Sequence, residues 1–344
     1  MAQHFLLSSK AKTLSLFDIA SLSKEEAFRL LCQCRWGSHE IVTCPKCNCT
    51  NKHYFLSKEY RWTCKECKHR FSVTSKTIFS SCKLEYRKYL AVIFLFANAA
   101  KGISISQISR DVKLGYKATF VLVHKIRESL ANHRNNDFLQ GEIHIDGTHV
   151  HSALRPKNKK ADRVDKRKPE YDNPNKRAVL VMRERYSEQE QAESPNLKGA
   201  KRTLTFPIKS ESKSAVIPLV NRYVKAGSRI HTDENAAYDE LLFNYDLKRV
   251  NHQQEYCSDE GIHNNLAESY NSRFKRMIIG QIHKLSNRYL FNYANEIAYR
   301  EDMRKEDNGK IFNDILSKCL HTPTHRDWCG YWQGNHKQDE VLYT

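Results

Sequence analysis

The sequence predicts a multidomain α+β protein, in which small cysteine-rich and helical modules precede an α/β domain with a mixed sheet. Three observations predict this arrangement. The chain has 344 residues, which exceeds the usual size of one domain. Four cysteines near the N-terminus form two CxxC pairs. Helical periodicity then gives way to apolar–polar alternation at 141–154, which is typical of a strand.

The composition is that of a folded and strongly basic protein. Hydrophobic residues make up 40% of the chain and aromatic residues 10%, which suffices for globular cores. The 57 Lys and Arg residues exceed the 39 Asp and Glu residues, so the net charge is +18. Such an excess attracts polyanions, and we expect DNA or RNA as the partner. The alternative is a basic protein without a nucleic-acid partner.

Neither a membrane span nor a secretion signal is predicted. The longest apolar stretch, LAVIFLFANAA at 90–100, is shorter than the roughly 20 residues that a bilayer span needs. The first residues lack the continuous apolar segment and cleavage pattern of a signal peptide. CxxC pairs favour metal binding in a reducing compartment, so we expect a cytoplasmic protein with no membrane partner.

The N-terminal helical segment is expected to cover 1–39. Ser23 and Glu26 have capping-box spacing ahead of EAFRLLCQCRW. This spacing predicts an amphipathic helix from about 24 to 35.

The two CxxC pairs predict a zinc ribbon over 40–82. Sixteen residues separate the pairs, and the four thiolates can complete a closed tetrahedral site for structural Zn²⁺, with no position left for water or substrate. The predicted ligands are Cys44, Cys47, Cys64 and Cys67. A redox pair or unrelated thiols are the alternative, and Cys49, His53 and His69 are second-choice ligands. We expect the remaining cysteines to be buried free thiols: Cys32, Cys34, Cys82, Cys257, Cys319 and Cys329.

A helical DNA-binding domain with a helix-turn-helix is expected over 83–135. Residues 84–100 have a helical pattern, and two further helices flank KLGYK within 103–132. Two short helices joined by a glycine-containing turn can place the second helix in a DNA major groove. Lys117 and Thr119 are the predicted DNA contacts, although any two packed helices have similar spacing.

An α/β domain is expected from 140 to 305. After the strand at 141–154, further strands are predicted at 177–185, 202–208 and 228–233, with a helix at 212–224 and mostly helix from HNNLAESY to about 319. The Lys- and Arg-rich run within 155–185 predicts a solvated loop, and such loops often order on nucleic acid. A helical tail is predicted for 306–344.

Three acidic residues are candidate catalytic residues and metal ligands. Asp146 lies within the first strand of this domain, Asp233 follows a later strand, and Glu268 begins a helix. Each has an ordinary structural explanation on its own. Together they match phosphodiester chemistry with two metal ions, which needs hard oxygen ligands from separate rigid elements to hold ions about 4 Å apart.

Basic and amide side chains surround Glu268 in sequence. Lys275 follows seven residues later, so both residues share one helix face, and Lys275 is predicted to hold the DNA backbone. Arg273 and Arg276 extend this basic surface. Asn265 is a secondary candidate that supports or partly replaces the glutamate as a metal ligand.

These residues resemble the DDE pattern of bacterial insertion-sequence transposases, in the subgroup with an N-terminal zinc ribbon and helix-turn-helix. The resemblance covers about 20–305 and rests on the three acids, Lys275 and the order of modules. It implies an RNase H-like catalytic core, two Mg²⁺ or Mn²⁺ ions, and a multimer that acts on the element's terminal inverted repeats and on target DNA near the nucleoid. The chain departs from many relatives at GTHVH, where they have a glutamate soon after the first aspartate.

The implied reaction is attack on phosphorus by water and then by the freed 3′ hydroxyl, without a covalent protein–DNA intermediate. His144 and His231 each precede an aspartate by two residues and are expected to share the active face, and His263 lies near the third acid. Two other functions fit the same sequence. One is an RNase H-like nuclease without joining activity, and the other is a catalytically inactive zinc-ribbon regulator that binds DNA.

Overall fold

The chain divides into two compact units. The computed structural model describes residues 5, 8–50, 53–81, 83–151, 157–163, 173–194, 197–249 and 263–343. The first unit comprises Met1–Arg134 and Met303–Lys337, and the second comprises Asn135–Asp302 and Gln338–Thr344. The segment predicted as a separate tail is therefore divided between the units. Cys82, Cys257 and most of the predicted basic loop lie outside the described residues.

The first unit combines helices with a small antiparallel sheet. Its elements are α1 (Leu16–Ser21), α2 (Lys24–Trp36), β1 (Tyr54–Leu56), β2 (Arg61–Thr63), β3 (Arg70–Ser72), α3 (Tyr86–Asn98), α4 (Ile105–Asp111) and α5 (Tyr116–Asn132). The predicted capping box begins α2, since Ser23 accepts from the backbone of Glu26 and the Glu26 carboxylate accepts from the backbone of Ser23.

The sheet β1–β2–β3 packs against α2 through aromatic rings. Phe28 of α2 lies 5.4 Å from the Trp62 ring, measured between ring centroids, and 4.9 Å from the Tyr60 ring. Trp62 in turn stacks on Phe71 of β3. A unit with three-residue strands has little core of its own, so these rings join the ribbon to the neighbouring helices.

The helix pair α4–α5 has the predicted turn between its helices. Of the two predicted DNA contacts, however, Thr119 is wrong. Ser104 caps α4, and the Ser109 hydroxyl donates to Leu114 O within the turn. Lys117 is exposed near the start of α5. Thr119 is fully buried, and its hydroxyl donates to Gly115 O one turn earlier. The Thr119 side chain therefore lies inside the pair and does not face a groove.

The C-terminal part of this unit is helical only at its start. The helix α10 (Asn308–His321) packs against α3 and α5. Beyond it the described chain has only single-turn 3-10 helices at Arg326–Trp328 and Tyr331–Gln333. The Trp328 ring stacks on His124 of α5 at 5.2 Å. The last α-helix in the described part of the chain therefore ends at His321.

The second unit has a mixed sheet with helices on both faces. Its elements are β4 (Glu142–His151), β5 (Lys176–Arg185), α6 (Glu188–Glu193), β6 (Ala200–Ile208), α7 (Lys213–Tyr223), β7 (Arg229–Thr232), β8 (Asp246–Arg249), α8 (Asn265–Met277) and α9 (Leu290–Asp302). Among the described residues, the strand order is β6-β5-β4-β7-β8. Strands β4, β5 and β6 are antiparallel, whereas β7 is parallel to both β4 and β8. This mixed sheet confirms the predicted fold class, with an RNase H-like core.

Side-chain alternation divides this unit into two hydrophobic layers. Ile143 and Ile145 of β4 pack with α7 on one face of the sheet. Val179 and Val181 of β5 pack with α8 and α9 on the other face. Residues 142, 144 and 146 of β4 alternate with the two isoleucines. Their side chains therefore point away from the face of the sheet that α7 covers.

A buried ionic network ties α8 and α9 to the sheet. Arg183 of β5 is fully buried and donates to Leu266 O at 2.7 Å, to Glu301 at 3.2 Å and to Thr203 Oγ1 at 3.2 Å. Asp302 accepts from the backbone and the hydroxyl of Thr203. Such a network fixes the orientation of α8 and α9 on the sheet, because a buried charged group that loses a partner is strongly destabilised. Within the described residues, no helix has the length and apolarity that crossing a membrane requires.

Candidate functional site

The strand pairing of β4 and β7 brings two predicted acids together. The strands are parallel, and His144 is the register partner of His231. Asp146 and Asp233 each lie two residues beyond that pair, at the same end of neighbouring strands. Asp146 lies within β4, and Asp233 follows the last residue of β7, as the sequence predicted.

A third carboxylate, Glu211, joins the two aspartates. Oxygen atoms of Asp146, Glu211 and Asp233 all lie within 4.8 Å of one another, and we call these three residues the acidic group. Glu211 lies between β6 and α7, three residues after the strand ends. The sequence reasoning missed it because KSESK has the composition of an ordinary polar loop.

Gly147 makes room for Glu211 beside Asp146. A Cβ atom at Gly147 would overlap the Glu211 carboxylate. The buried hydroxyl of Tyr238 donates to Glu211 Oε1 at 2.5 Å and orients that carboxylate. Gly147 is the first residue of the GTHVH stretch that follows Asp146. In this chain a carboxylate from another element lies close to that position.

The electrostatics of the acidic group suit a divalent cation. Burial, together with the nearby carboxylates of Asp233 and Glu211, raises the pKa of Asp146 to about 7. Burial also raises the pKa of Glu211. Three partly buried carboxylates repel one another unless a proton or a cation lies between them, and carboxylate oxygens are the ligands that Mg²⁺ and Mn²⁺ prefer. The three residues therefore fit such an ion.

Helix α8 contacts this region through two asparagines. Asn264, at the helix N-cap, donates from Nδ2 to Ile145 O at 2.9 Å. Asn271 donates from Nδ2 to Asp146 Oδ2 at 2.7 Å. Asn264 is buried, whereas the predicted secondary ligand Asn265 is exposed. Asn264, rather than Asn265, thus faces the sheet.

Glu268 lies on the helix face that contacts β4. It is four residues after Asn264 and three before Asn271, so all three share one face at 3.6 residues per turn. Glu268 is half-buried in the first turn of α8. It does not belong to the group of carboxylates within 4.8 Å in the described part of the chain.

The predicted basic residues of α8 differ in their surroundings. Lys275 and Arg276 are exposed in the last turn of the helix. Arg273 forms an ion pair with Glu301, in which Nη1 lies 2.9 Å from Oε1. The carboxylate of Glu301 is buried and also contacts Arg183. Arg273 thus has a structural partner within the unit.

A second cluster of metal-ligand types lies next to the acidic group. Glu142 and His144 of β4 and His231 of β7 offer ligand atoms within 4.8 Å of one another. The His144 ring stacks on His231 at 4.6 Å and on His263 at 5.4 Å, measured between ring centroids. The sequence predicted a shared face for the two strand histidines, and the structure confirms it.

The four predicted zinc ligands converge in the first unit. Cys44 Sγ lies 3.7 Å from Cys67 Sγ, and Cys47 Sγ lies 3.6 Å from Cys64 Sγ. Sulfur atoms bound about 2.3 Å from one tetrahedral zinc ion are separated by roughly 3.8 Å. The four thiols therefore fit structural Zn²⁺. Cys49 and His53 lie near Cys64 but do not belong to this group of four cysteines.

Comparisons with known proteins match the two regions of the chain that contain these clusters. Residues 22–70 match the transposase zinc-ribbon domain, and residues 138–302 match the ISXO2-like transposase domain. An uncharacterized protein in transposable element ISH50 of Halobacterium salinarum is 23% identical over 308 residues, which cover 87% of this chain and 98% of that protein. Both domain matches lie on one chain in the predicted order, so the chain combines a transposase zinc-ribbon domain with an ISXO2-like transposase domain.

Proposed function

We propose that this transposase binds the terminal inverted repeats of its element and catalyses metal-dependent cleavage and transfer of DNA strands. The observation that carries the proposal is the convergence of Asp146 and Asp233, with Glu211, at the end of two parallel strands. Carboxylates from separate rigid elements are what phosphodiester chemistry with two metal ions requires.

Asp146, Asp233 and Glu268 are the proposed catalytic residues and ligands of two Mg²⁺ or Mn²⁺ ions. When bound, the ions supply activation of water or of a 3′ hydroxyl and stabilisation of the leaving oxygen. Asn271 orients Asp146 through its hydrogen bond to Oδ2. The case for Glu268 rests on its place between Asn264 and Asn271, both of which contact β4 within one residue of the first aspartate.

DNA contacts are proposed in both units. Exposed Lys275 and Arg276 follow Glu268 on α8 and suit the phosphate backbone next to the reacting strand. The helix pair α4–α5 presents Lys117, and the zinc ribbon supports the same recognition role. Arg273 would contribute mainly by orienting α8 through Glu301. The net charge of +18 favours binding along DNA in the cytoplasm, where a homo-oligomer would hold two element ends.

The test uses purified full-length protein, Mn²⁺ or Mg²⁺, and labelled DNA that ends in the repeats flanking the gene. We expect Asp146→Asn and Asp233→Asn to reduce cleavage by about a thousandfold or more while the Kd for the repeats changes little, and Glu268→Gln to do the same. Asp239→Asn is the matched control, because Asp239 is exposed and pairs with Arg249. It should cleave like wild type.

The outcomes separate the competing functions. Joining of pre-cut ends to target DNA supports a transposase, whereas cleavage without joining would leave a nuclease. Binding of the repeats without metal-dependent cleavage would contradict the proposed chemistry and leave a DNA-binding regulator. If Glu268→Gln cleaves normally while the aspartate variants do not, Glu268 is not the third catalytic residue.

A further inference from the structure

Glu142, His144 and His231 form a group that the proposed function does not use, and we call it the histidine group. Glu142 and His144 lie two residues apart on one face of β4. His231 lies beside His144 on β7, because the parallel strands pair at these two residues. Strand geometry therefore holds all three side chains on the same face of the sheet.

The distances within the group suit one transition-metal ion. Glu142 Oε1 lies 3.1 Å from His144 Nε2 and 3.7 Å from His231 Nε2. Ligand atoms that lie about 2.0–2.1 Å from a tetrahedral zinc ion are separated from one another by roughly 3.3 Å. A ring nitrogen of each histidine thus lies near the same carboxylate oxygen. The two nitrogen–oxygen distances are close to those between ligands of one zinc ion.

The histidine rings have buried nitrogen atoms without hydrogen-bond partners. His144 is 0% exposed and His231 is 6% exposed. In the described part of the chain, both ring nitrogens of His231 and Nδ1 of His144 and His263 have no hydrogen-bond partner. A buried polar atom without a partner is destabilising, and an ion beside Glu142 Oε1 would satisfy Nε2 of His231, which lies 3.7 Å from that oxygen.

Arg185 supports the carboxylate of this group. Its Nη1 donates to both Glu142 oxygens, at 2.9 and 3.1 Å. Metal-binding carboxylates commonly have such outer partners, which fix the orientation of the ligand. His263 lies 5.4 Å from the His144 ring and 6.4 Å from the His231 ring, so it lies at the edge of the same site.

We propose that Glu142, His144 and His231 bind one Zn²⁺ or a similar transition-metal ion, with His263 or water as a further ligand. Imidazole nitrogens select such ions, whereas the carboxylates of the acidic group suit Mg²⁺ or Mn²⁺. His144 and Asp146 lie two strand residues apart, which is about 6.7 Å and exceeds the spacing of roughly 4 Å between two catalytic ions. The ion would link β4 to β7 at His144 and His231, each of which lies two residues before an aspartate of the acidic group.

Metal content of the tag-free full chain tests this proposal. The protein is loaded with Zn²⁺, and the excess zinc is removed by dialysis. We then expect mass spectrometry to show two zinc ions per wild-type chain, one in the ribbon and one in the histidine group. His144→Asn and His231→Asn should each retain one. Cys47→Ser should also retain one, because it removes a ribbon ligand. His149→Asn is the matched control, since His149 is exposed on the same strand, and it should retain two.

Co²⁺ provides a second measurement with a different readout. In Cys47→Ser, the remaining Co²⁺ should show weak visible absorption without the near-ultraviolet bands of thiolate ligands. These bands should persist in His231→Asn. The proposal would be overturned if the wild-type chain held a single zinc ion and Cys47→Ser held none. It would also be overturned if both histidine variants still held two zinc ions. Neither measurement depends on DNA cleavage, so the site stands or falls separately from the transposase chemistry.

Discussion

At the scale of single residues, the absence of a side chain at Gly147 shapes the acidic group. Glu211 reaches Asp146 only because no Cβ occupies the space that its carboxylate fills. We expect Gly147→Ala to displace this carboxylate and to weaken Mn²⁺ binding by about tenfold, the usual cost of disturbing a metal site. The free energy of unfolding should fall by only about 1 kcal/mol, because the end of a flexible side chain can move. Calorimetric Mn²⁺ titration of the zinc-loaded protein measures the change.

Gly280→Ala provides the control for that substitution, because a Cβ there meets no atom within 4 Å. Equal Mn²⁺ affinity in the two alanine variants would mean that Glu211 takes no part in metal binding.

Asp302 should make stability depend on pH. Burial raises its pKa to about 7 from an ordinary value of 3.8. The folded chain therefore binds more protons than the unfolded chain between these values, and the free energy of unfolding falls as pH rises through that window. Relative to Asp302→Asn, wild type should lose about 2–3 kcal/mol between pH 5 and pH 8. Urea unfolding of both proteins at each pH gives the difference, and parallel pH curves would contradict it.

The sequence predicted residues with a local signal and missed those that depend on distant packing. Asp146 and Asp233 follow recognisable strands, so their positions were predictable. Glu211 comes from a polar loop, and its role depends on the gap at Gly147. Asn271 looks like a surface residue of an amphipathic helix until its hydrogen bond to Asp146 is known. Burial likewise removed Thr119 from the predicted DNA contacts.

At the scale of elements, the orientation of α8 depends on Arg183. This arginine is fully buried and contacts Leu266 O and Glu301, which is itself buried. We expect Arg183→Met to lower the free energy of unfolding of the second unit by about 3–5 kcal/mol, because Glu301 loses a buried partner. Urea unfolding measures it. Arg229→Met is the matched control on β7 of the same unit, because the side chain of Arg229 is 56% exposed and its loss should cost about 1 kcal/mol or less.

The helix pair α4–α5 should contribute to DNA affinity through Lys117. Its Nζ lies 5.2 Å from the centroid of the Trp332 ring, so the ammonium group is positioned at the start of α5. Lys117→Ala should reduce the slope of log affinity against log salt by about 0.9, the value for one phosphate contact. Fluorescence anisotropy over a salt series measures the slope. Lys12→Ala, at an exposed loop lysine of the same unit, should leave it unchanged.

Elements with strong periodicity were predicted closely, and short ones were not. The strand at 177–185 and the helix at 212–224 correspond to β5 and α7 within two residues at each end. Strand β8 was missed because its four residues carry three charged side chains and no apolar alternation. The 3-10 helix Ala236–Phe243 is capped by Asn235, whose side-chain oxygen accepts from the backbone of Ala237. This leaves the Asp233 carboxylate in the acidic group.

At the scale of the whole molecule, two units should unfold in separate transitions. Cys47→Ser removes one ribbon ligand, and loss of structural zinc destabilises small domains by several kcal/mol. The ribbon shares aromatic packing with α2, so we expect the transition of the first unit to shift to lower temperature. The transition of the second unit should not move. Scanning calorimetry shows both, with Cys329→Ser, an exposed cysteine outside the ribbon, as control. A common shift of both transitions would contradict this expectation.

The order of modules was predictable because each module has its own sequence signal: paired cysteines, helical period, then strand alternation. The compact units were less predictable. Residues 303–337 belong with the N-terminal part, and this grouping depends on the packing of α10 against α3 and α5. Contacts between segments so far apart in sequence leave no periodic signal.

The parallel pairing of β4 with β7 has a consequence for tracing relatives. Hydrogen bonding between adjacent strands determines the distance from Asp146 to Asp233, and the length of chain joining the strands does not. Extra domains inserted between β4 and β5 would leave the carboxylates side by side. Homologues are therefore better sought by two apolar strands that each carry a late aspartate than by any fixed count of intervening amino acids.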